Sequence, residues 1–154
     1  MARVQLALNV AKLDEAIDFY SRLFATPPAK VQTGYANFAI AEPPLKLVLM
    51  ENPAEAGTLN HLGVEVETSE AVAAATSRLQ AEGLPTAVED QTTCCYALQD
   101  KVWVDGPDGE PWEIYTVLAD ADTPHGQLRV SDPDSGSVCC ATSPTAVAAP
   151  TTRA

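Results

Sequence analysis

Gln5, His61 and Glu113 are the residues of this chain whose types and spacing best fit a metal centre. An amide, an imidazole and a carboxylate can hold an ion from one side and leave positions open for water, substrate or dioxygen. Gln5 and His61 occupy matching places in two similar stretches, fifty-six residues apart. VQLALNV (Val4–Val10) aligns with NHLGVEV (Asn60–Val66), and DEAIDFYSRL (Asp14–Leu23) with SEAVAAATSRL (Ser69–Leu79). Ser21-Arg22-Leu23 recurs as Ser77-Arg78-Leu79 at the same offset. Two copies of a strand-then-helix unit predict an approximate two-fold axis that brings Gln5 and His61 toward a common centre. Glu113 lies in PWEIYTV, an otherwise apolar strand, where a carboxylate is costly unless it is paired or bound to a cation. The competing readings for Glu113 are an exposed strand face, or an ion pair with Lys101 or Lys46.

The four cysteines form two adjacent pairs, Cys94-Cys95 and Cys139-Cys140. A disulfide between neighbours closes a strained ring and staples nothing distant. Paired thiols therefore fit a reducing compartment and a soft-metal or redox role. Two thiolates one peptide bond apart can both bind pyramidal trivalent arsenic or antimony. Adjacent strand residues point to opposite faces, so both sulfurs meet one arsenic only if Thr92–Tyr96 is a loop or bulge. A buried small apolar pair and a redox doublet are the other readings. His125 reads as a solvated bystander.

The elements that must position these groups follow from periodicity. Residues 3–10 alternate Val4, Leu6, Leu8 and Val10 against Gln5, Ala7 and Asn9, which predicts a strand with Gln5 opposite the aliphatic face. Asp14 marks the N-cap region of a helix carrying Ala16, Ile17, Phe19, Tyr20, Leu23 and Phe24, ended by Thr26-Pro27-Pro28. Tyr35–Ala41 and Leu45–Glu51 read as strands, and Asn52–Thr58 as a linker. In the second half Leu59–Val66 reads as a strand and Thr68–Ala81 as a helix stopped by Gly83 and Pro85. Thr86–Asp90 reads as a short strand and Thr92–Tyr96 is ambiguous. Lys101–Asp105 and Pro111–Leu118 read as strands around a Gly106–Gly109 turn. These elements predict an α+β fold of two modules, residues 1–52 and 59–118, whose mixed sheets enclose a cleft.

The 154 residues form one domain, 1–118, plus a tail, 119–154, that lacks any Phe, Trp or Tyr. Such a tail cannot bury enough apolar surface to offset its ordering entropy, so it reads as disordered. A net charge of -12, with no basic cluster, argues against nucleic acid or anionic membrane as partners. No apolar run approaches the ~20 residues that span a bilayer, and the N-terminus lacks a signal-peptide layout. A cytoplasmic location is the expectation.

The βαβββ duplication with ligands on facing strands resembles the vicinal oxygen chelate superfamily, which includes glyoxalase I, extradiol ring-cleaving dioxygenases and some antibiotic-resistance proteins. Within it, RVQLALNV, GYANFAIAEPPLKLVLMENP, GTLNHLGVEV, TTCCYALQDKVWVDGPDGEPWEIYTVL and a late Cys-Cys are similar to the ArsI organoarsenical lyases and the related cadmium-induced CadI proteins. The resemblance covers essentially all of residues 1–118. It implies an iron(II)-dependent, dioxygen-consuming enzyme that cleaves the carbon–arsenic bond of a trivalent organoarsenical; methylarsenite would yield arsenite and formaldehyde. It places the metal ligands on Gln5, His61 and Glu113 and the arsenic-binding thiols on Cys94 and Cys95, in a mobile loop. Gln99-Asp100-Lys101 would help hold that loop, or form a plain surface turn. Cys139 and Cys140 would pass arsenicals to the cleft, capture the product, or do nothing. Related folds occur as monomers and as dimers with shared sites. The chief rival is a non-catalytic protein that sequesters cadmium or arsenite on the same thiols and needs no iron. A glyoxalase-like isomerase is disfavoured, because Lys46-Leu47-Val48-Leu49-Met50 offers no acidic fourth ligand.

Overall fold

The computed structural model describes residues 2–94 and 96–122, and the backbone of residues 127–129 and 132–137. Cys95, His125, Cys139 and Cys140 lie outside the described residues. The first module comprises β1 (Arg3–Val10), α1 (Leu13–Leu23), β2 (Lys30–Gln32), β3 (Tyr35–Ile40) and β4 (Leu45–Glu51). After a short 3-10 turn at Pro53–Glu55 come β5 (Leu59–Glu65), α2 (Ser69–Ala81), β6 (Ala87–Cys94), β7 (Ala97–Asp105) and β8 (Pro111–Asp120). Each half is βαβββ. Among the described residues beyond β8, β9 (Gln127–Arg129) and β10 (Asp132–Ser137) pair antiparallel inside the stretch expected to be a structureless tail.

Eight strands form one mixed sheet in the order β2-β3-β4-β1-β5-β8-β7-β6. The modules meet along β1 and β5, which run antiparallel. In each module the first strand runs parallel to the last, β1 to β4 and β5 to β8. The helices cover one face of this sheet. Ala16, Ile17, Tyr20 and Phe24 pack with Leu6, Leu8 and Val10 against Phe38, Ile40, Leu47 and Leu49. On the other side of the axis Val72 and Leu79 of α2 pack on Val102, Val104 and Ile114. Burying each such side chain is worth about 1.5–3 kcal/mol, so the helix-covered face holds the fold together. The opposite face is left for polar groups.

That opposite face is concave. The half of β1 bearing Gln5, Ala7 and Asn9 is the more buried one, although it is the less apolar. The reason is a covering element: Tyr96, in the turn between β6 and β7, packs onto Ala7, Tyr35, Val48 and Met50 of the first module. The β6–β7 hairpin therefore curls back over the concavity.

Several boundaries differ from those expected, among them the start of β7, at Ala97 and not Lys101. β2 is three residues long, too short to leave a periodic signature. β6 runs through Thr92 and Thr93 to Cys94 and is interrupted by a register shift between Glu89 and Thr92, where Gln91 adopts a φ of 49°. Asp14 does not cap α1. Lys12 holds the cap position without a side-chain bond, and the Leu13 N–H donates instead to Glu51 Oε2 at 2.8 Å, from the end of β4. At α2 the expected start holds, with the Thr68 hydroxyl accepting from Ala71 N.

Candidate metal centre

Strand register brings the three predicted ligands together. Gln5 on β1 lies opposite Gly63 on β5, and Gly63 lies opposite Glu113 on β8. His61 precedes Gly63 by two residues and so shares its face. Gly63 is the spacer that makes this possible. A Cβ there would sit 3.1 Å from Glu113 Cγ, 3.3 Å from Glu113 O and 3.4 Å from Gln5 Cβ. With no side chain at 63, Gln5 and Glu113 reach over it toward each other. All three are sealed from solvent, with exposures of 4% for Gln5, 0% for His61 and 2% for Glu113.

Their tips form a triangle. Gln5 Nε2 is 3.0 Å from His61 Nε2 and 2.8 Å from Glu113 Oε1, and His61 Nε2 is 3.3 Å from Glu113 Oε1. Donors at right angles around an ion with bonds of about 2.1 Å stand about 3.0 Å apart. The tips stand close to that spacing, with the Gln5 amide nitrogen, not its ligating oxygen, facing the other two. Among the described residues no three His, Cys, Asp or Glu side chains converge on a point, so the amide completes the set.

The imidazole presents a bare nitrogen to this triangle. The direction of its hydrogen bonds is fixed from a backbone carbonyl outward. The Thr58 hydroxyl donates to Glu55 O at 2.6 Å and accepts from Asn9 Nδ2 at 3.0 Å. Asn9 Oδ1 accepts from Asn60 Nδ2 at 3.2 Å. Asn60 Oδ1 is left to accept from His61 Nδ1 at 2.7 Å. The ring proton is therefore on Nδ1, and the Nε2 lone pair faces Gln5 and Glu113, the tautomer a metal ligand needs.

Electrostatics hold the carboxylate ionised. Burial alone would raise the Glu113 pKa, but the Lys101 ammonium, 2.7 Å from Oε2, together with His61, 3.3 Å from Oε1, outweighs it and holds the carboxyl at about 2. Lys101 is itself fully buried, over the rings of Trp103 at 5.1 Å and Tyr115 at 5.8 Å. Of the two readings of Glu113, ligand and Lys101 partner, the molecule accommodates both. Oε2 takes the ammonium and Oε1 faces the triangle. Lys46 goes elsewhere, to Glu65 Oε2 at 3.2 Å. Burial pushes Glu65 up, while Lys46, the Tyr115 hydroxyl and Arg3 pull it below the usual carboxylate range. Burial, with Glu113 and Glu65 nearby, raises the Tyr115 phenol well above its ordinary value, so it stays protonated. The Trp103 ring lies edge-on to His61 at 5.5 Å, and its buried Nε1 finds no hydrogen-bond partner among the described residues.

Cys94 ends β6 opposite Ala97, buried at 0% exposure on the concave side. The strand stops there, and Tyr96 turns with a φ of 60°. Of the doublet only Cys94 belongs to the described residues, as the last residue of β6. The turn is tied down from both sides. Lys30 Nζ donates to Tyr96 O at 3.1 Å and pairs with Asp120 at 2.5 Å, the Tyr96 hydroxyl donates to Thr33 O at 3.3 Å, and its ring lies 5.3 Å from that of Tyr35. Ala7, beneath Tyr96, is the cross-strand partner of His61, which brings the turn over the metal-site strands. Gln99, Asp100 and Lys101 make no surface turn: they lie inside β7, with Gln99 and Lys101 buried. Gln99 Nε2 donates to Cys94 O at 3.3 Å, the Asp100 carboxylate receives Gln91 N at 2.7 Å and bonds the Ser69 hydroxyl, and Lys101 holds Glu113.

The first module contributes no carboxylate. By the internal symmetry Ala7 matches Gly63, and its parallel partner Val48 stands where Glu113 stands in the second module. Sequence reasoning missed Asn60, Gly63, Tyr115 and Lys30. Two signals were available: Tyr115 shares a strand face with Glu113 two residues away, and Gly63 is a glycine inside a strand on the His61 face.

A family model described as the glyoxalase/bleomycin resistance protein/dioxygenase superfamily matches residues 3–114. The cadmium-induced protein CadI of Mycobacterium tuberculosis (strain ATCC 25618 / H37Rv) is 62% identical over 142 residues, spanning 91% of this chain and 93% of the relative. The trivalent organoarsenical cleaving enzyme of Thermomonospora curvata is 60% identical over 141 residues, spanning 91% and 89%. Among solved structures, an extradiol ring-cleaving dioxygenase from B. fuscum superposes with a TM-score of 0.59 at 21% identity, over 78% of this chain and 34% of that one. The fold match agrees with the vicinal oxygen chelate architecture expected from the repeat.

Proposed function

We propose a function from one premise: the chain belongs to the glyoxalase/bleomycin resistance protein/dioxygenase superfamily. Within it, the chain is an enzyme that cleaves the carbon–arsenic bond of trivalent organoarsenicals, as the name of its 60%-identical relative describes that protein. The observation that carries this reading is the juxtaposition on one concave face of the buried Gln5–His61–Glu113 triangle and a hairpin tip bearing Cys94.

Gln5, His61 and Glu113 are the residues to hold a divalent ion, and iron(II) is the ion the reaction calls for. Iron(II) at these ligands would supply the redox centre that engages dioxygen. Methylarsenite plus one dioxygen balances to arsenite plus formaldehyde, with no external reductant. The protein's own residues supply capture, orientation and dryness. Cys94 and Cys95 exchange their thiol protons for arsenic, releasing two waters from the arsenic hydroxyls, and so fix the organic group over the site. Lys101 keeps Glu113 ionised, and Asn60 keeps the lone pair of His61 turned inward. Tyr96 excludes water from the floor beside His61. Because Cys94 is buried, an arsenical reaches it when the turn held by Lys30 lifts. Cys139 and Cys140 are proposed to pass arsenicals to the cleft.

The test is aerobic arsenite and formaldehyde release from methylarsenite, with and without added iron(II). Wild type should give both products in equal amounts. Cys94→Ser should stop turnover and leave iron binding unchanged, and His61→Ala should remove both. Full activity in Cys94→Ser would refute the clamp. The 62% identity to a cadmium-induced protein favours a second reading, a sequestering protein. That reading predicts stoichiometric capture of arsenical and no aldehyde.

A further inference from the structure

The Tyr115 hydroxyl has one proton and two oxygens to give it to. It lies 2.5 Å from Gln5 Oε1 and 2.9 Å from Glu65 Oε2. Glu65 is held as an anion by Arg3, at 3.0 and 3.2 Å, and by Lys46, so its claim on that proton is strong. Gln5 Nε2 meanwhile spends its two hydrogens on the lone pair of His61 and on Glu113 Oε1. In this arrangement the amide nitrogen, which cannot ligate a metal, faces the triangle, and its oxygen faces away.

Turning the amide over exchanges these roles. Nε2 then donates to the Tyr115 oxygen, and the Tyr115 proton passes wholly to Glu65. Oε1 joins His61 Nε2 and Glu113 Oε1 at the triangle. Without a cation this second state sets a carbonyl oxygen against a carboxylate and a lone pair. With a cation it is the ligand set. A hydroxyl is suited to serve both states, because it can donate and accept. It makes one more satisfied hydrogen bond in the second state than in the first.

We propose that Tyr115, anchored by Glu65, is a positioning residue that lets the Gln5 amide reverse between an inward-nitrogen state that plugs the empty centre and an inward-oxygen state that ligates the ion. The inference rests on the assignment of Gln5, His61 and Glu113 as ligands. It adds that the centre is closed by its own amide in the absence of metal.

Two measurements test it on the full chain. In wild-type protein the side-chain ¹⁵N–¹H₂ resonances of Gln5, identified by their loss in Gln5→Glu, should move on addition of zinc(II), since Nε2 leaves a carboxylate for a phenol oxygen. His61→Ala is the blank. Affinity for manganese(II), a hard ion indifferent to the thiols, is read from the electron paramagnetic resonance of the free ion. Tyr115→Phe should weaken it about tenfold. In a Gln5→Ala background the same change should alter affinity by less than about twofold, since Tyr115 acts through Gln5. Gln5 resonances that stay put while zinc(II) binds at a site lost in His61→Ala would overturn the amide reversal, as would an equal penalty in both backgrounds. Manganese(II) binding that survives His61→Ala undamaged would instead overturn the ligand assignment, and the inference with it. The wild-type resonance test stands even if Tyr115→Phe does not fold.

Discussion

Replacing Lys101 by Met should destabilise the metal-free protein and tighten its hold on metal at once. The ammonium lies 2.7 Å from Glu113 Oε2, with Lys101 at 0% and Glu113 at 2% exposure. Removing one partner of a buried pair leaves the other charge uncompensated, at a cost of about 3–5 kcal/mol. Methionine keeps most of the side-chain volume over Trp103 and Tyr115, so cavity formation adds little. For a domain of this size the loss corresponds to a melting temperature lower by roughly 10–20 °C. The pH dependence should invert as well. In wild type the Glu113 carboxyl sits at about 2, below its ordinary 4.5, so the stability it contributes is present above 4.5 and is lost as pH falls toward 2. Stripped of its cation, the buried carboxyl moves above 4.5, and the variant should regain stability as pH falls through that raised value. A divalent ion at Oε1 restores a positive neighbour. If it recovers about 1.4 kcal/mol of the loss, manganese(II) affinity rises tenfold. Calorimetric melting with and without manganese(II) gives both arms of the cycle. Equal drops in the two forms would refute the reasoning, because Glu113 would then be no part of the ion's shell.

Gly63→Ala places a methyl group 3.1 Å from Glu113 Cγ and should cost about 1–3 kcal/mol by urea denaturation and weaken manganese(II) binding; retention of both would mean the strands can spread at no cost. Val48→Glu puts a carboxylate at the symmetry mate of Glu113 and should tighten manganese(II) binding while lowering turnover, since a fourth ligand fills a position needed by reactants; unchanged affinity would show that position 48 does not face the centre. Wild-type stability in urea should fall as pH drops from 4.5 toward 2, since Glu65 and Glu113 both titrate below their ordinary value when folded, and a flat midpoint over that range would contradict the ion-pair account.

The duplication was legible because Gln5 and His61 keep the offset of Ser-Arg-Leu, and strands paired through β1 and β5 must place such mates near one axis. Glu113 was legible because a carboxylate inside PWEIYTV has no inexpensive place to go. The course of β6 was not. Thr-Thr-Cys-Cys fits strand and loop alike, and the register shift at Gln91 depends on Asp100, nine residues on, accepting from its backbone. The cap of α1 was misread for a similar reason. Asp14 has the right chemistry, but Glu51 is delivered to the helix end by β4. Tyr115 acts through partners fifty or more residues distant in sequence, and Asn60, though next to His61, is itself oriented by Asn9 on another strand; strand periodicity shows which residues share a face, not which of them pair.

Val48 marks a division of labour between the duplicated halves. The second copy supplies two of the three candidate donors, His61 and Glu113, and the first supplies Gln5. The first has valine where the second has Glu113, and with Ala7, Tyr35 and Met50 that valine forms a greasy socket for the Tyr96 ring on the second copy's hairpin. An ancestral symmetric pair would have needed each change to suit both halves. Once the halves diverged, selection on the socket could tune how tightly the thiol-bearing turn shuts without disturbing the ion. Variation at Tyr35 or Met50 is thus a route to altered substrate traffic at constant metal chemistry.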